Sequence, residues 1–196
     1  DDNLIMIIKC IITDLDGTLV DTKKLNYLSY KKAFNEINFE LKEKLFFDAF
    51  GLEYESFIKK IIPNITHNQS KSIRAAKNLY FDQYIKYAEL NKSLANFLYL
   101  NKANIPIALA TSASKINVNK LLKYLDITDL FKLIITSEDV IRPKPDPECF
   151  SKIMKSFNVK PKNTLIFEDS IIGLTAANNS EANVIKIDNW VGNNEI

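Results

Sequence analysis

An α/β fold, a parallel sheet flanked by helices with an all-helical segment inserted after the first strand, is predicted by three observations. Short apolar runs alternate with helix-length segments beyond residue 91; residues 22–89 carry helical spacing alone; and acidic, hydroxyl and basic side chains gather where the predicted strands end. Strands separated by helices require parallel crossovers, because an antiparallel pair needs only a tight hairpin.

Leu4 to Thr13 is short, rich in Ile and apolar on both faces, the texture of a strand buried between two helix layers, and it stops at Asp14-Leu15-Asp16-Gly17. From Thr22 to about Glu89, apolar residues recur at helical spacing: Leu25, Leu28, Ala33 and Phe34, then Phe46 and Phe50, then Phe57, Ile58 and Ile61, then Ile73, Ala76 and Tyr80. Breaks near Asn38, at Gly51 and over Pro63 to Asn68 divide this into four or so helices with no strand. The alternation follows: helix Ser93 to Lys102, strand Ile107 to Ala110, helix Lys115 to Tyr124, strand Leu133 to Ile135, helix Pro147 to Phe157, strand Leu165 to Phe167, helix Ile171 to Asn179, strand Val184 to Ile187.

Composition narrows the function classes. The 196 residues, 46% of them hydrophobic, suffice for one compact core with a small insert and exclude disorder as the default. A net charge of +2, with Arg only at positions 74 and 142, gives no strong field and little bidentate base reading, so no nucleic-acid partner is expected. The most apolar stretch, Leu4 to Ile12, carries Lys9 and is far shorter than the roughly 20 residues of a membrane span. With Asp1 and Asp2 in place of a basic flank it is also a poor signal peptide, so neither a membrane nor export is expected. Cys10 and Cys149 fit no metal or redox spacing, and a reducing cytoplasm is the expected compartment.

Ligands of open parallel sheets bind beyond the carboxyl ends of the strands, and there the chain places Asp14 and Asp16, Thr111 and Ser112, and Glu168 and Asp169. Asp14 and Asp16 alone are equally readable as solvated turn residues. As alternate residues of an extended segment, they can also face one reaction centre, with Gly17 permitting an abrupt turn. So many carboxylates repel one another and demand cations. Hard oxygen ligands without His or Cys point to Mg²⁺, and Lys144, in the proline-stiffened run Arg142 to Pro147, supplies a second positive charge. Thr111 and Ser112 offer donors to an anion.

Asp14-Leu15-Asp16-Gly17-Thr18, Thr111, Lys144-Pro145 and Glu168-Asp169-Ser170-Ile171-Ile172-Gly173 resemble, in order, the four motifs of the haloacid dehalogenase-like hydrolase superfamily. The resemblance spans nearly the whole chain. The helical insert between the first two motifs is similar to the cap of the phosphoglycolate phosphatase and β-phosphoglucomutase branch. It implies a Rossmann-like α/β core over 1–21 and 91–196 with a helical cap domain over 22–90. Asp14 would be the nucleophile that becomes an aspartyl phosphate, and Asp16 the general acid and then base. Thr111, with Ser112, and Lys144 would hold the phosphoryl group. Asp14, Asp169 and the Asp16 main-chain oxygen would bind Mg²⁺, with Glu168 either a ligand or a partner behind the ligands. The carboxylate at Asp16 argues for phosphoryl transfer and against dehalogenation.

Departures from the branch pattern bear on substrate. Where the mutases carry a His and a cap Arg, this chain has Asn26 and Tyr54. A phosphatase acting on a small phosphorylated metabolite, a sugar phosphate or phosphoglycolate-like acid, is therefore expected before a phosphomutase, with a noncatalytic binding module as the third reading. Lys59, Lys60, Arg74 and Lys77 could reach a distal phosphate but read more simply as a solvated helix face. Asp21 suits either the cap hinge or, with Thr22, a helix N-cap. The glycine usual after the last motif helix is replaced by Glu181, so that helix end is expected to be reshaped. Cys10 reads as an inert core thiol, His67 as structural or solvated, and Trp190 as packing. Met6 reads as a natural start, the edge after the last strand as short, and the protein as a monomer or weak homodimer.

Overall fold

A computed structural model describes residues 7–188. In chain order the elements are β1 (Cys10–Thr13), β2 (Val20–Asp21), α1 (Lys23–Asn35), α2 (Glu43–Phe47), α3 (Tyr54–Ile61), α4 (His67–Tyr84), β3 (Glu89–Leu90), α5 (Lys92–Asn101) and β4 (Ile107–Ala110), followed by α6 (Lys115–Tyr124), β5 (Leu133–Ile135), α7 (Glu148–Phe157), β6 (Thr164–Glu168), α8 (Ile171–Asn179) and β7 (Asn183–Lys186).

Five strands form one parallel sheet in the order β5-β4-β1-β6-β7, as the alternation predicts. β1 is central: Ile12 pairs with Ala108 on one side and Ile166 on the other. Side chains alternate across the pleat, so Ile11 enters one apolar cluster with Leu98, Leu109 and Leu121 while Cys10 and Ile12 enter the opposite one with Phe150, Ile153 and Ala176. Burial on both faces explains why the strand sequences are nearly continuous in apolar residues. Burial also pushes the Cys10 thiol up to about 12, which makes it inert at neutral pH.

Helices α1 to α4 enclose a third apolar cluster, with Phe34, Phe46, Ile58 and Ile73 at its centre. The breaks at Asn38 and Gly51 both have left-handed backbone, φ 55° and 90°. Thr66 and Gln69 form a capping box that starts α4, leaving His67 as its first residue.

Three expectations need correction, and the open choice at Asp21 and Thr22 is narrowed. The first strand is confined to Cys10–Thr13, where both neighbours supply partners; Ile7 to Lys9 is not strand, and residues 4–6, with Met6, lie outside the described residues, as does Trp190. The helical range contains a strand after all: Glu89–Leu90 pairs antiparallel with Val20–Asp21, a ribbon too short to leave an alternation in the sequence. Glu181 adopts φ 61°, so the turn after α8 keeps the left-handed conformation a glycine would supply. The Asp21 carboxylate accepts the Lys23 N–H at 3.0 Å, whereas the Thr22 hydroxyl is committed to Asp16. No helix among the described residues is long and apolar enough to cross a membrane.

Candidate active site

The parallel register brings the C-terminal ends of β1, β4 and β6 side by side, and the Asp14 N–H extends the ladder to the Phe167 carbonyl at 2.9 Å. Asp14 emerges from β1, Thr111 from β4, and Glu168 closes β6. Lys144, from the loop before α7, reaches into this row. Its Nζ donates to Asp14 Oδ1 at 2.8 Å, to Glu168 Oε2 at 2.7 Å and to the Ala110 carbonyl at 3.1 Å.

Asp16 occupies a different environment two residues on. Its Oδ1 accepts from the Thr22 hydroxyl and from Asn26 Nδ2, while its Oδ2 lies 3.5 Å from the Thr111 hydroxyl. The first turn of α1 therefore holds one oxygen of Asp16 and the end of β4 holds the other. Asp169 accepts from the Thr18 hydroxyl at 2.7 Å.

Glycine shapes both acidic turns. Gly17 has φ 92°, and a Cβ there would overlap the Asp169 carboxylate. Gly173, in the first turn of α8, lets that helix approach until a Cβ would overlap the Glu168 carboxyl group. Gly173→Ala should therefore displace Glu168 from Lys144 and destabilise the fold by about 1–3 kcal/mol, the usual cost of overpacking. Thermal unfolding checks this, and an unchanged midpoint would contradict the tight fit.

One ammonium pairs with two carboxylates here, Asp14 and Glu168, and Asp169 adds a third acid beside them. Burial and the adjacent Glu168 charge push the Asp14 carboxyl well above the usual carboxylate range, with Lys144 pulling the other way. Burial likewise raises Asp16, against the Thr22 hydrogen bond, and carries Asp169 to about 6. Burial also works against the Lys144 ammonium, but the Asp14 and Glu168 charges outweigh it and hold its proton above the usual lysine range. Carboxylate oxygens of Asp14, Glu168 and Asp169 lie within 4.8 Å of one another. This excess of hard anionic donors fits a divalent cation such as Mg²⁺. Glu168 is already engaged at both oxygens, Oε2 by Lys144 and Oε1 by the Asp169 and Ser170 N–H groups and the Ser170 hydroxyl, which leaves Asp14 and Asp169 as the freer donors.

A cavity between the strand ends and the helical insert is lined by Asp14, Asp16, Thr111, Ser112 and Lys144 from the sheet half and by Tyr30, Tyr54, Arg74 and Lys77 from the insert. All the sequence-predicted site residues line it except the acidic pair at the end of β6, Glu168 and Asp169, which gather against Asp14. Two buried polar atoms in its wall, Ser114 Oγ and Asn117 Oδ1, have no hydrogen-bond partner.

The reading of Lys77 as part of a solvated face is corrected. It is only 7% exposed, its ammonium stands 4.5 Å from the Phe81 ring centre and 5.3 Å from that of Tyr30, and burial brings its pKa down to about 7 against the attraction of Asp16. Arg74 is half exposed and lies over the Tyr54 ring at 4.8 Å, so the position that holds Tyr in place of the mutase Arg supports a cation from another helix. Helical spacing marks which residues share a face but not what that face meets, so Lys77 was not separable from Lys59 or Lys60, which are exposed.

A parallel sheet with acidic strand ends gathered around a buried lysine, beneath a helical insert, is the architecture of an α/β protein whose site lies at the carboxyl ends of its strands. The chain belongs to the haloacid dehalogenase-like hydrolase family, whose pattern it matches over residues 11–187. It is 26% identical over 175 residues to a phosphorylated carbohydrates phosphatase of Thermotoga maritima, covering 86% of this chain and 80% of that protein. It is 30% identical over 171 residues to the pyrophosphatase PpaX of Oceanobacillus iheyensis, covering 84% and 76%. The crystal structure of β-phosphoglucomutase from Clostridium difficile superposes with a TM-score of 0.80 at 26% identity, covering 94% of this chain and 86% of that one. With this family and these relatives, the protein is an enzyme of the phosphoric monoester hydrolase class.

Proposed function

We propose that the enzyme is a Mg²⁺-dependent phosphatase of small phosphorylated carbohydrates or related acids, working through an aspartyl phosphate on Asp14. The observation that carries this reading is the contrast between the two aspartates of one turn. Asp14 lies against Lys144, whereas Asp16 is held by hydroxyl and amide donors from α1 and β4. Pairs of carboxylates in unlike environments take unlike roles.

In the proposed reaction Asp14 attacks phosphorus as the ester oxygen departs with a proton from Asp16. Asp16, now ionised, then takes a proton from water, whose oxygen attacks phosphorus, breaks the bond to Asp14 and leaves as part of inorganic phosphate, freeing the Asp14 carboxylate. Thr111, Ser112 and Lys144 orient the phosphoryl oxygens. Asp14 and Asp169, with the Asp16 main-chain oxygen, would hold Mg²⁺, and Glu168 would fix Lys144 from behind. When bound, the metal would neutralise charge on the phosphoryl oxygens. Residues 22–90 would serve as a cap that excludes water, hinged at the ribbon of β2 and β3. The unpartnered Ser114 Oγ and Asn117 Oδ1 suit a polyhydroxylated substrate, which can satisfy both. Asn26 and Tyr54, in place of the mutase His and Arg, favour hydrolysis over phosphoryl return.

A phosphate-release screen over sugar phosphates, nucleotides and phosphoacids tests this. Release is expected with Mg²⁺ and suppression with Ca²⁺, whose larger, higher coordination would engage both Asp14 oxygens. Equal turnover with the two ions would count against Asp14 as nucleophile. Isomer formation without phosphate release from a hexose 1-phosphate would overturn the phosphatase reading, and inactivity of the folded protein throughout the panel would favour a binding role.

A further inference from the structure

Lys77 stays in the wall of the cavity that Asp16 also lines only if α4 keeps one rotation and register against the sheet half, and apolar burial, being non-directional, does not fix either. α4 spans two apolar clusters: Ile73 and Ala76 belong to that of the insert, whereas Phe81 belongs to that of the sheet half. Lys77 and Asn78 fall between them. Directional contacts occur at that place. Asn117 Nδ2 donates to Asn78 Oδ1 at 3.1 Å, and Lys120 Nζ donates to the Asn78 carbonyl at 3.2 Å and to Asp82 Oδ2 at 2.8 Å.

The spacing is that of two facing helices. Asn78 and Asp82 are four apart on α4, Asn117 and Lys120 three apart on α6, so each pair lies on one side of its helix. Away from the hinge, and beside the Thr22 and Asn26 bonds to Asp16, these are the side-chain hydrogen bonds that join the insert to the sheet half among the described residues; the Arg74 to Glu138 ion pair, at 3.9 Å, is looser. Asn117 is 6% exposed, so its bond is shielded from water, while the Lys120 to Asp82 pair sits at the rim. α6 follows directly on Thr111 and Ser112, so the element that grips α4 is continuous with the one that faces the phosphoryl group.

We infer that Asn78, Asp82, Asn117 and Lys120 form a clasp that positions α4, and with it Lys77, in the wall of the cavity that Asp14 and Asp16 line when the insert is closed. None of the clasp side chains is assigned a chemical step; Asn78, Asp82 and Lys120 act through the helices they hold, as does the Asn117 Nδ2, whereas the Asn117 Oδ1 is the unpartnered atom in the cavity wall. The kinetic part of the test rests on the phosphatase reading, and the exchange part does not.

Lys120→Glu sets a carboxylate against Asp82, and Asp82→Lys added to it restores an opposite-charge pair. The single variant is expected to lower kcat about 10- to 100-fold, the scale on which a displacement of about 1 Å acts, with a smaller change in KM. In metal-free protein, hydrogen exchange over residues 67–84 should accelerate while the strands keep their protection. The double variant should recover both. Asp82→Asn, which removes one charge without repulsion, should move both in the same direction by less and guards against a single variant that fails to fold. Unchanged exchange in Lys120→Glu and Asp82→Asn would overturn the clasp, as would loss without recovery in a folded double variant. If no substrate is turned over by the wild type, the phosphatase reading fails and exchange alone decides the clasp.

Discussion

Asp14→Asn is expected to bring turnover to background, a loss of at least about 10⁴-fold of the kind that follows removal of a nucleophile. The amide keeps the shape of the side chain and can still accept the Lys144 proton, and Lys144 retains Glu168 at 2.7 Å. What disappears is the charged oxygen that attacks phosphorus. The fold should not suffer. Burial and Glu168 raise the folded-state pKa of Asp14 above its unfolded value, so the ionised form costs stability at neutral pH. That cost is absent below the unfolded pKa and grows as the pH rises through the folded one. In metal-free protein at neutral pH, Asp14→Asn should therefore melt at or above the wild-type temperature while being inactive. An inactive variant that melts well below wild type would mean that Asp14 acts as a structural ion-pair partner.

Asp16→Asn should cost about 10² to 10⁴ in rate, the usual worth of positioned proton transfer, and the loss should depend on the leaving group. An aryl phosphate releases a stable phenolate and needs little protonation in the first step, whereas an alkyl phosphate needs a full proton. Hydrolysis of the intermediate would be slow for both, because no base activates water. The Thr22 and Thr111 hydroxyls can still bond an amide oxygen, so substrate binding should persist. Equal slowing of aryl and alkyl esters in the first step would remove the acid role from Asp16.

The sheet and the row of strand-end residues were legible because both rest on short-range signals. Apolar runs of β1, β4 and β6 mark strands buried on two faces, Asp14, Asp16, Thr111, Glu168 and Asp169 fall at or just past strand ends, and Lys144 stands in a proline-flanked loop. Parallel pairing then leaves few ways to arrange them. The insert was legible as helices, but the orientation of its faces was not. Lys77 and Lys60 share composition and helical context, yet one is buried against the Phe81 and Tyr30 rings and the other is exposed, a difference decided by how α4 meets α6 across 38 to 42 residues of chain. Asn78 and Asn117 gave no signal, since Asn in a Lys- and Asn-rich chain carries no pattern. Glu181 shows the converse limit: the missing glycine was visible, but a non-glycine residue adopts the same left-handed turn, its N–H donating to the Asn178 carbonyl at 3.0 Å.

The central claim is that phosphate passes through a covalent bond to Asp14. Asp16→Asn mixed with Mg²⁺ and p-nitrophenyl phosphate, quenched in acid and examined by intact-protein and peptide mass spectrometry, tests it most directly. The account predicts a burst of one p-nitrophenol per active site and one phosphoryl group on the peptide containing Asp14, cleared slowly afterwards. Steady release without a burst, or a phosphoryl group on any other residue, would contradict it.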